Sequence, residues 1–124
     1  MKITIVGSMA FYEKFLKIKE ILEMQSHKII IPLPDEFYEK SQKIKKDSMQ
    51  DYNKKIEESD AILVANYSKD NVNDYIGTNS LIEIGIAFNR KKKIFILNKI
   101  PQNCKDELSA IGVIELNGDL NKIK

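Results

Sequence analysis

Short runs of consecutive apolar residues alternate along this chain with longer stretches in which apolar residues recur every three or four positions. The runs predict strands that are buried on both faces, and the longer period is that of an amphipathic helix. The predicted strands are 2–7, 28–33, 60–66, 92–98 and 113–116. The predicted helices are 10–25, 43–58, 81–89 and 105–111. This alternation predicts an α/β fold: a parallel sheet with right-handed crossovers and helices on both faces.

Two prolines indicate where the second predicted strand lies in the sheet. Pro32 and Pro34 close it, and proline is confined to edge strands because it cannot donate a hydrogen bond to a central ladder. An edge position for this strand fits the order 2-1-3-4-5, that of a doubly wound, flavodoxin-like sheet of five strands. A length of 124 residues is that of one domain, which we expect to span 1–124.

The composition excludes several classes of protein. Hydrophobic residues make up 43% and charged residues 31% of the chain, as in ordinary globular domains. The 20 basic and 18 acidic residues nearly cancel, which favours a small-molecule ligand over a nucleic-acid polymer. No apolar run approaches the roughly 20 residues that cross a bilayer, and the chain opens directly into a strand without a secretory h-region. We therefore expect a cytoplasmic protein without a membrane partner.

The sequence offers little for metal or cofactor chemistry. Cys104 and His27 are the only cysteine and histidine, so a disulfide, a multi-cysteine metal site and a histidine-based triad are excluded. The dinucleotide fingerprint G-x-G-x-x-G is absent after the first strand, where only Gly7 is present, and the P-loop motif is absent as well. We expect no metal and no cofactor.

The stretch 73–89, NDYIGTNSLIEIGIAFN, joins the central strand to the next helix. It therefore lies at the carboxyl edge of the sheet, where open α/β sheets bind ligands, and we expect Glu83 to face a cleft there. Ser80 and Glu83 have the S-x-x-E spacing of a capping box, with Ser80 as N-cap. Alternatively, a carboxylate in the first helical turn is kept ionised by the helix dipole and attacks an anomeric carbon. Spacing alone favours the cap.

A resemblance changes this balance. The segments 59–64, 75–87 and 93–98 (SDAILV, YIGTNSLIEIGIA and KIFILN) resemble the nucleoside 2-deoxyribosyltransferase-like superfamily. That superfamily includes deoxyribosyltransferases and deoxynucleoside-monophosphate N-glycosidases, and its nucleophile is the Glu of an E-x-G-x-A motif, here Glu83. The resemblance implies cleavage or transfer at the N-glycosidic bond of a (deoxy)nucleoside or nucleoside 5′-monophosphate through a covalent glycosyl-Glu83 intermediate.

The leaving base needs a proton donor. Relatives place a carboxylate on the helix before the third strand, and the nearest equivalent here is Asp51. It is displaced by one residue, which turns a helical side chain by about 100°, and Tyr52 occupies the matching position. Asp74, in the loop before Glu83, is a second candidate for the donor.

Further candidates lie in the loops at the same edge. Gly7 and Ser8 precede the first helix, whose free backbone N–H groups suit an anion; nucleotide-cleaving relatives hold the 5′-phosphate there, but this chain lacks their arginine. We expect segment 35–48 to cover the site, with Phe37 and Tyr38 either stacking on a base or packing in the core. The expected substrate-binding residues are Gly7, Ser8, Asn66, Asp74, Gly77, Asn79 and Ser80.

Two further expectations concern activity and assembly. The missing arginine and the displaced Asp51 favour an alternative function, a non-catalytic nucleotide-binding or sensing module in which Glu83 only binds a ribose. The helix 81–89 is apolar on more than one face, and such a helix is usually buried on both sides. Together with the resemblance, this predicts a homodimer or a higher homo-oligomer.

Overall fold

The protein is described by a computed structural model over residues 1–33 and 41–124. Five strands form one sheet in which every pair of neighbours is parallel. They are β1 (Lys2–Val6), β2 (Lys28–Ile30), β3 (Ala61–Val64), β4 (Lys93–Ile96) and β5 (Ile114–Glu115). Their order is β2-β1-β3-β4-β5. The predicted fold class and strand order are therefore confirmed, with β2 at one edge.

Within residues 1–33 and 41–124, four α-helices connect the strands. They are α1 (Tyr12–Met24), α2 (Gln42–Glu57), α3 (Thr78–Asn89) and α4 (Lys105–Ala110). Single 3-10 turns at Met9–Phe11 and Gln102–Cys104 lead into α1 and α4, and a third, Leu120–Lys122, lies near the carboxyl end of the chain. No helix within the described residues is long and apolar enough to cross a membrane.

The strand side chains alternate between two cores, one on each face of the sheet. The core beneath α1 includes Ile3, Ile5, Phe15, Leu22, Leu63 and Phe95. The core beneath α2, α3 and α4 includes Val6, Ile56, Ile62, Ile84, Ile96 and Leu108. Successive residues of one strand enter opposite cores because side chains alternate across a strand, which explains the continuous apolar runs in the sequence.

The expected cover over the site is in part a helix. Ser41 is the N-cap of α2, with its Oγ accepting a hydrogen bond of 3.2 Å from the backbone N–H of Ile44. Residues 42–48 are the first turns of α2, in agreement with the helix predicted over 43–58, and the cap satisfies one of the N–H groups that a helix start leaves open. Phe37 and Tyr38 lie outside the described residues.

Candidate active site

The exits of β1 and β3 meet at Gly7. A Cβ atom added at Gly7 would lie 3.0 Å from the carbonyl oxygen of Ala65 and 3.2 Å from the ring of Phe15. Both distances are shorter than ordinary van der Waals contacts, so only glycine lets the two chain segments approach this closely. The carboxyl edge is thus tightly closed between the loops that follow β1 and β3.

Asn66, a predicted substrate-binding residue, joins the exits of β3 and β4. Its Nδ2 donates to the carbonyl of Lys99 at 2.7 Å, and its Oδ1 accepts from the backbone N–H of Asn98 at 2.9 Å. The side chain of Asn98 in turn donates to the Asn66 carbonyl at 3.2 Å. The Asn66 side chain is buried, and its amide is engaged with the chain itself. This arrangement gives Asn66 a structural role, and substrate binding by it stays a prediction.

The loop between β3 and α3 contains a tight hairpin, defined here as the 69–72 hairpin. Lys69 and Val72 exchange backbone hydrogen bonds of 3.0 and 2.8 Å. The two residues between them, Asp70 and Asn71, have φ angles of 50° and 65°. Positive φ at both central positions is the signature of a type I′ turn, which asparagine and aspartate tolerate better than most residues. The hairpin therefore gives this loop a defined conformation.

The 69–72 hairpin brings a cation to Ser8. The Nζ of Lys69 lies 3.2 Å from the Oγ of Ser8, and 4.9 Å from the centroid of the Tyr75 ring. The same Oγ accepts a hydrogen bond of 3.3 Å from the backbone N–H of Ala10. Lys69 is not among the site residues that the sequence predicts. Its only local signal was the turn-forming pair at 70–71, which does not reveal what the hairpin approaches.

The structure corrects the predicted start of α3. Its N-cap is Gly77, three residues before the predicted Ser80, so Ser80 is the third helical residue and Glu83 the sixth. The capping-box prediction is wrong, because only the first four N–H groups of a helix lack partners. Glu83 also lies beyond the reach of the helix dipole, whose field falls off within the first turn. The chain is tightly packed at this N-cap, since a Cβ atom added at Gly77 would lie 3.2 Å from the Tyr75 hydroxyl.

Glu83 lies on the inner side of α3. Its side chain is 6% exposed, and it is the only buried residue with a formal charge in the described part of the chain. Ser80, one turn earlier, is 4% exposed. Glutamate is almost never buried to this extent without compensating interactions. A role of Glu83 in binding or in chemistry stays a prediction.

The structure places Asp51 and Tyr52 on different sides of α2. Tyr52 is buried, and its hydroxyl donates a hydrogen bond to the carbonyl of Ile5 in β1. Asp51 is exposed and lines an outer groove with Asp47, Gln50, Asn53, Lys54 and Glu57. One helical step turns a side chain by about 100°, which separates the two. A proton-donor role for Asp51 stays a prediction, and its own position faces away from the sheet.

Two grooves hold other predicted residues. A groove of about 410 Å³ between α2 and α3 is lined by Lys45, Lys46, Asn53, Thr78, Asn79 and Ile82, among others. A second groove, of about 520 Å³, is lined by Asp74, Tyr75, Lys99, Pro101 and Gln102, among others. Asp74 and Asn79 therefore line separate grooves. Asp74 also has a φ of 55°, a left-handed conformation that aspartate adopts more readily than most residues.

Two side chains in this region stay neutral at neutral pH. Burial raises the pKa of the Tyr67 phenol. The Lys14 ammonium lies 4.2 Å from the centroid of the same ring. Burial, with a smaller contribution from Glu107, also raises the pKa of the Cys104 thiol. A thiol with a raised pKa is a poor nucleophile. Within residues 1–33 and 41–124, no group of three or more His, Cys, Asp and Glu side chains could hold a metal ion.

Comparisons with known proteins support this fold. No protein-family model and no curated protein matches the chain. Among solved structures, a 2-deoxyribosyltransferase from the psychrotolerant bacterium Bacillus psychrosaccharolyticus is similar with a TM-score of 0.59 and 17% identity, over 77% of this chain and 71% of that chain. A CMP N-glycosidase from Clostridium botulinum is similar with a TM-score of 0.58 and 15% identity, over 93% of this chain and 87% of that chain. The chain therefore has the fold of these two enzymes, which confirms the sequence resemblance at the level of the fold.

Proposed function

We propose that this protein cleaves, or transfers a sugar at, the N-glycosidic bond of a (deoxy)nucleoside or nucleoside 5′-monophosphate, with Glu83 as nucleophile. The observation that carries the proposal is the buried Glu83 carboxylate on the helix that follows the central strand. The two structural neighbours are a 2-deoxyribosyltransferase and a CMP N-glycosidase, so this fold is known to support chemistry at that bond.

The proposed reaction proceeds in two displacements. A carboxylate oxygen of Glu83 attacks C1′ of the sugar, the bond between C1′ and the base nitrogen breaks, and its electron pair leaves with the base, which takes up a proton. Water, or the nitrogen of a second base, then attacks C1′ and gives up its proton, while the bond between C1′ and the Glu83 oxygen breaks and the carboxylate is regenerated. Two inversions at C1′ retain the configuration overall. Water as acceptor makes the protein a hydrolase, and a base as acceptor makes it a transferase.

The remaining expectations accompany this proposal. Gly7, Ser8, Asp74, Gly77 and Asn79 lie in loops or at the helix start along the carboxyl edge, where a nucleoside is expected to bind. We further propose a homodimer, in which a second copy covers the exposed apolar surface of α3, and a cytoplasmic location.

The decisive experiment removes the carboxylate of Glu83. Wild type, Glu83→Gln and Glu83→Ala are incubated with a panel of nucleosides and 5′-monophosphates, and free base is quantified by chromatography. Loss of a nucleophile is expected to lower turnover by about 10³-fold or more. Glu20→Gln, an exposed position on α1, is the matched control and should retain wild-type turnover. Wild-type turnover in Glu83→Gln would refute the proposed role.

A non-catalytic nucleotide-binding module is the second candidate. It is favoured by one observation: the residue of α2 that faces the sheet is Tyr52, and the carboxylate of Asp51 points outward. Wild-type protein that binds nucleotides but releases no free base with any member of the panel would support this function. Calorimetry on the same panel measures the binding independently of turnover.

A further inference from the structure

We infer that Lys69 recognises the 5′-phosphate of the substrate together with Ser8, and thereby selects nucleoside 5′-monophosphates over nucleosides. This inference rests on the proposed function, because it specifies which substrates the same site binds. The loop after β1 carries no cation for the phosphate, and the loop after β3 supplies one. The pair is formed by residues 61 positions apart in the chain, so only the folded structure brings them together.

The hydrogen-bonding capacity of the pair suits a phosphate. Ser8 Oγ accepts hydrogen bonds from Ala10 and from Lys69, and within the described residues it donates none, so its own proton is available to an anionic oxygen. The Lys69 ammonium has three protons, of which one is directed at Ser8. No carboxylate of the described residues forms an ion pair with Lys69. Two donors, one of them cationic, are thus held 3.2 Å apart.

The positions of the other cations favour Lys69. The chain has a single arginine, Arg90, which follows the last residue of α3 and pairs with Glu57 at 2.8 Å. Because α3 runs from the carboxyl edge back across the sheet, Arg90 lies at the opposite edge. Lys14, also near the loop after β1, lies over the rings of Tyr67 and Phe11 at 4.2 and 5.9 Å. In the part of the chain that the structure describes, Lys69 is the cation whose ammonium contacts Ser8.

The structure holds the Lys69 ammonium in place from two sides. The type I′ turn at Asp70 and Asn71 sets the direction in which the 69–72 hairpin leaves the sheet edge. The face of the Tyr75 ring lies 4.9 Å from Nζ, a favourable cation–π contact. A cation that is positioned before the ligand arrives loses less conformational freedom on binding.

The test separates binding from turnover by using the inactive Glu83→Gln protein. Isothermal calorimetry measures inorganic phosphate and matched pairs of each common nucleoside and its 5′-monophosphate, in ribose and deoxyribose forms. Lys69→Gln is expected to reduce the preference for the monophosphate by about 10- to 100-fold, the value of one charge-assisted hydrogen bond, with nucleoside affinity unchanged. Lys69→Arg should largely restore the preference, and Ser8→Ala should reduce it to a smaller extent.

Lys14→Gln is the matched control, since it removes one positive charge near the same loop. It should leave the preference for the monophosphate within about twofold, because the Lys14 ammonium lies over the rings of Phe11 and Tyr67 and not against Ser8. Three results would overturn the inference: no preference for the monophosphate in the reference protein, an unchanged preference in Lys69→Gln, or an equal loss in Lys14→Gln. If wild type turns over nucleosides without preferring the monophosphate, the inference fails and the proposed function is supported. If the protein prefers the monophosphate but wild type shows no turnover, the inference is supported and the proposed function fails.

Discussion

At the scale of single residues, two glycines have opposite surroundings. A Cβ at Gly7 would lie 3.0 Å from the Ala65 carbonyl oxygen, where two strand exits meet. A Cβ at Gly85, within α3, would meet no atom within 4 Å. Gly7 is therefore required by packing, whereas Gly85 costs α3 stability because glycine is a poor helix former. The resemblance alone, through its E-x-G-x-A motif, would single out Gly85.

These surroundings predict opposite effects of alanine. Gly7→Ala should lower the free energy of unfolding by about 1–3 kcal/mol, because the strand exits have to move apart. Gly85→Ala should raise it by about 0.5–1 kcal/mol. Urea denaturation followed by circular dichroism measures both. A loss of stability in Gly85→Ala would contradict the prediction.

At the scale of elements, the 69–72 hairpin gives the loop after β3 a defined backbone conformation. Its two central residues adopt left-handed conformations, and its end residues exchange two hydrogen bonds. A further hydrogen bond of 3.0 Å, from the N–H of Tyr75 to the carbonyl of Tyr67, closes the loop at its base. A short polar loop thus becomes a rigid support for Lys69, and its conformation depends on which residues tolerate positive φ.

Substitutions at Asn71 test this dependence. Asn71→Val should lower the free energy of unfolding by about 1–2 kcal/mol, since a β-branched residue is strained at positive φ. Asn71→Gly, which adopts this conformation without strain, should stay within about 0.5 kcal/mol of wild type. Urea denaturation provides both values, and monophosphate affinity should fall in Asn71→Val alone. Equal stability of the two variants would show that the turn conformation does not matter.

At the scale of the whole molecule, α3 exposes large apolar side chains on its outer side. The inner side of α3 packs Ile84 and Ala87 into the core, while Leu81, Ile82 and Phe88 on the outer side are 39%, 45% and 52% exposed. Leu81 and Phe88 flank Gly85 at helical spacing, so they form one surface with it. The expected apolar character on more than one face is thus present, and the oligomeric state stays a prediction.

Light scattering tests the homodimer. Wild type at micromolar concentration should show twice the 14.3 kDa of one chain, since an exposed apolar helix face is the kind of surface that a two-fold interface buries. The double variant Ile82→Lys and Phe88→Lys should be a folded monomer. Met24→Lys is the control, because Met24 is 81% exposed on α1, on the opposite face of the sheet, and it should remain a dimer. A monomeric wild type would refute the proposal.

The sequence alone determined the order of the elements along the chain, the order of the strands in the sheet and the helix that contains Glu83. Apolar runs, helical periods and the prolines after β2 are local signals, and the right-handed crossover rule converts them into a topology. The E-x-G-x-A motif singled out Glu83 in the same way. The fold predictions are confirmed because each depends on residues that are close together in the chain, whereas the catalytic role of Glu83 stays a prediction.

Tertiary structure decided the arrangement of the site. Gly77 rather than Ser80 caps α3, because the loop that contains Tyr75 sets where the helix can begin. Asn66 joins the exits of β3 and β4 through hydrogen bonds to Lys99 and Asn98, which are 33 and 32 residues away in the chain. Lys69 reaches Ser8 across 61 residues. No local pattern contains such pairs: parallel strands place their carboxyl ends side by side only once the intervening helices have packed on the sheet, so the site exists only in the folded chain.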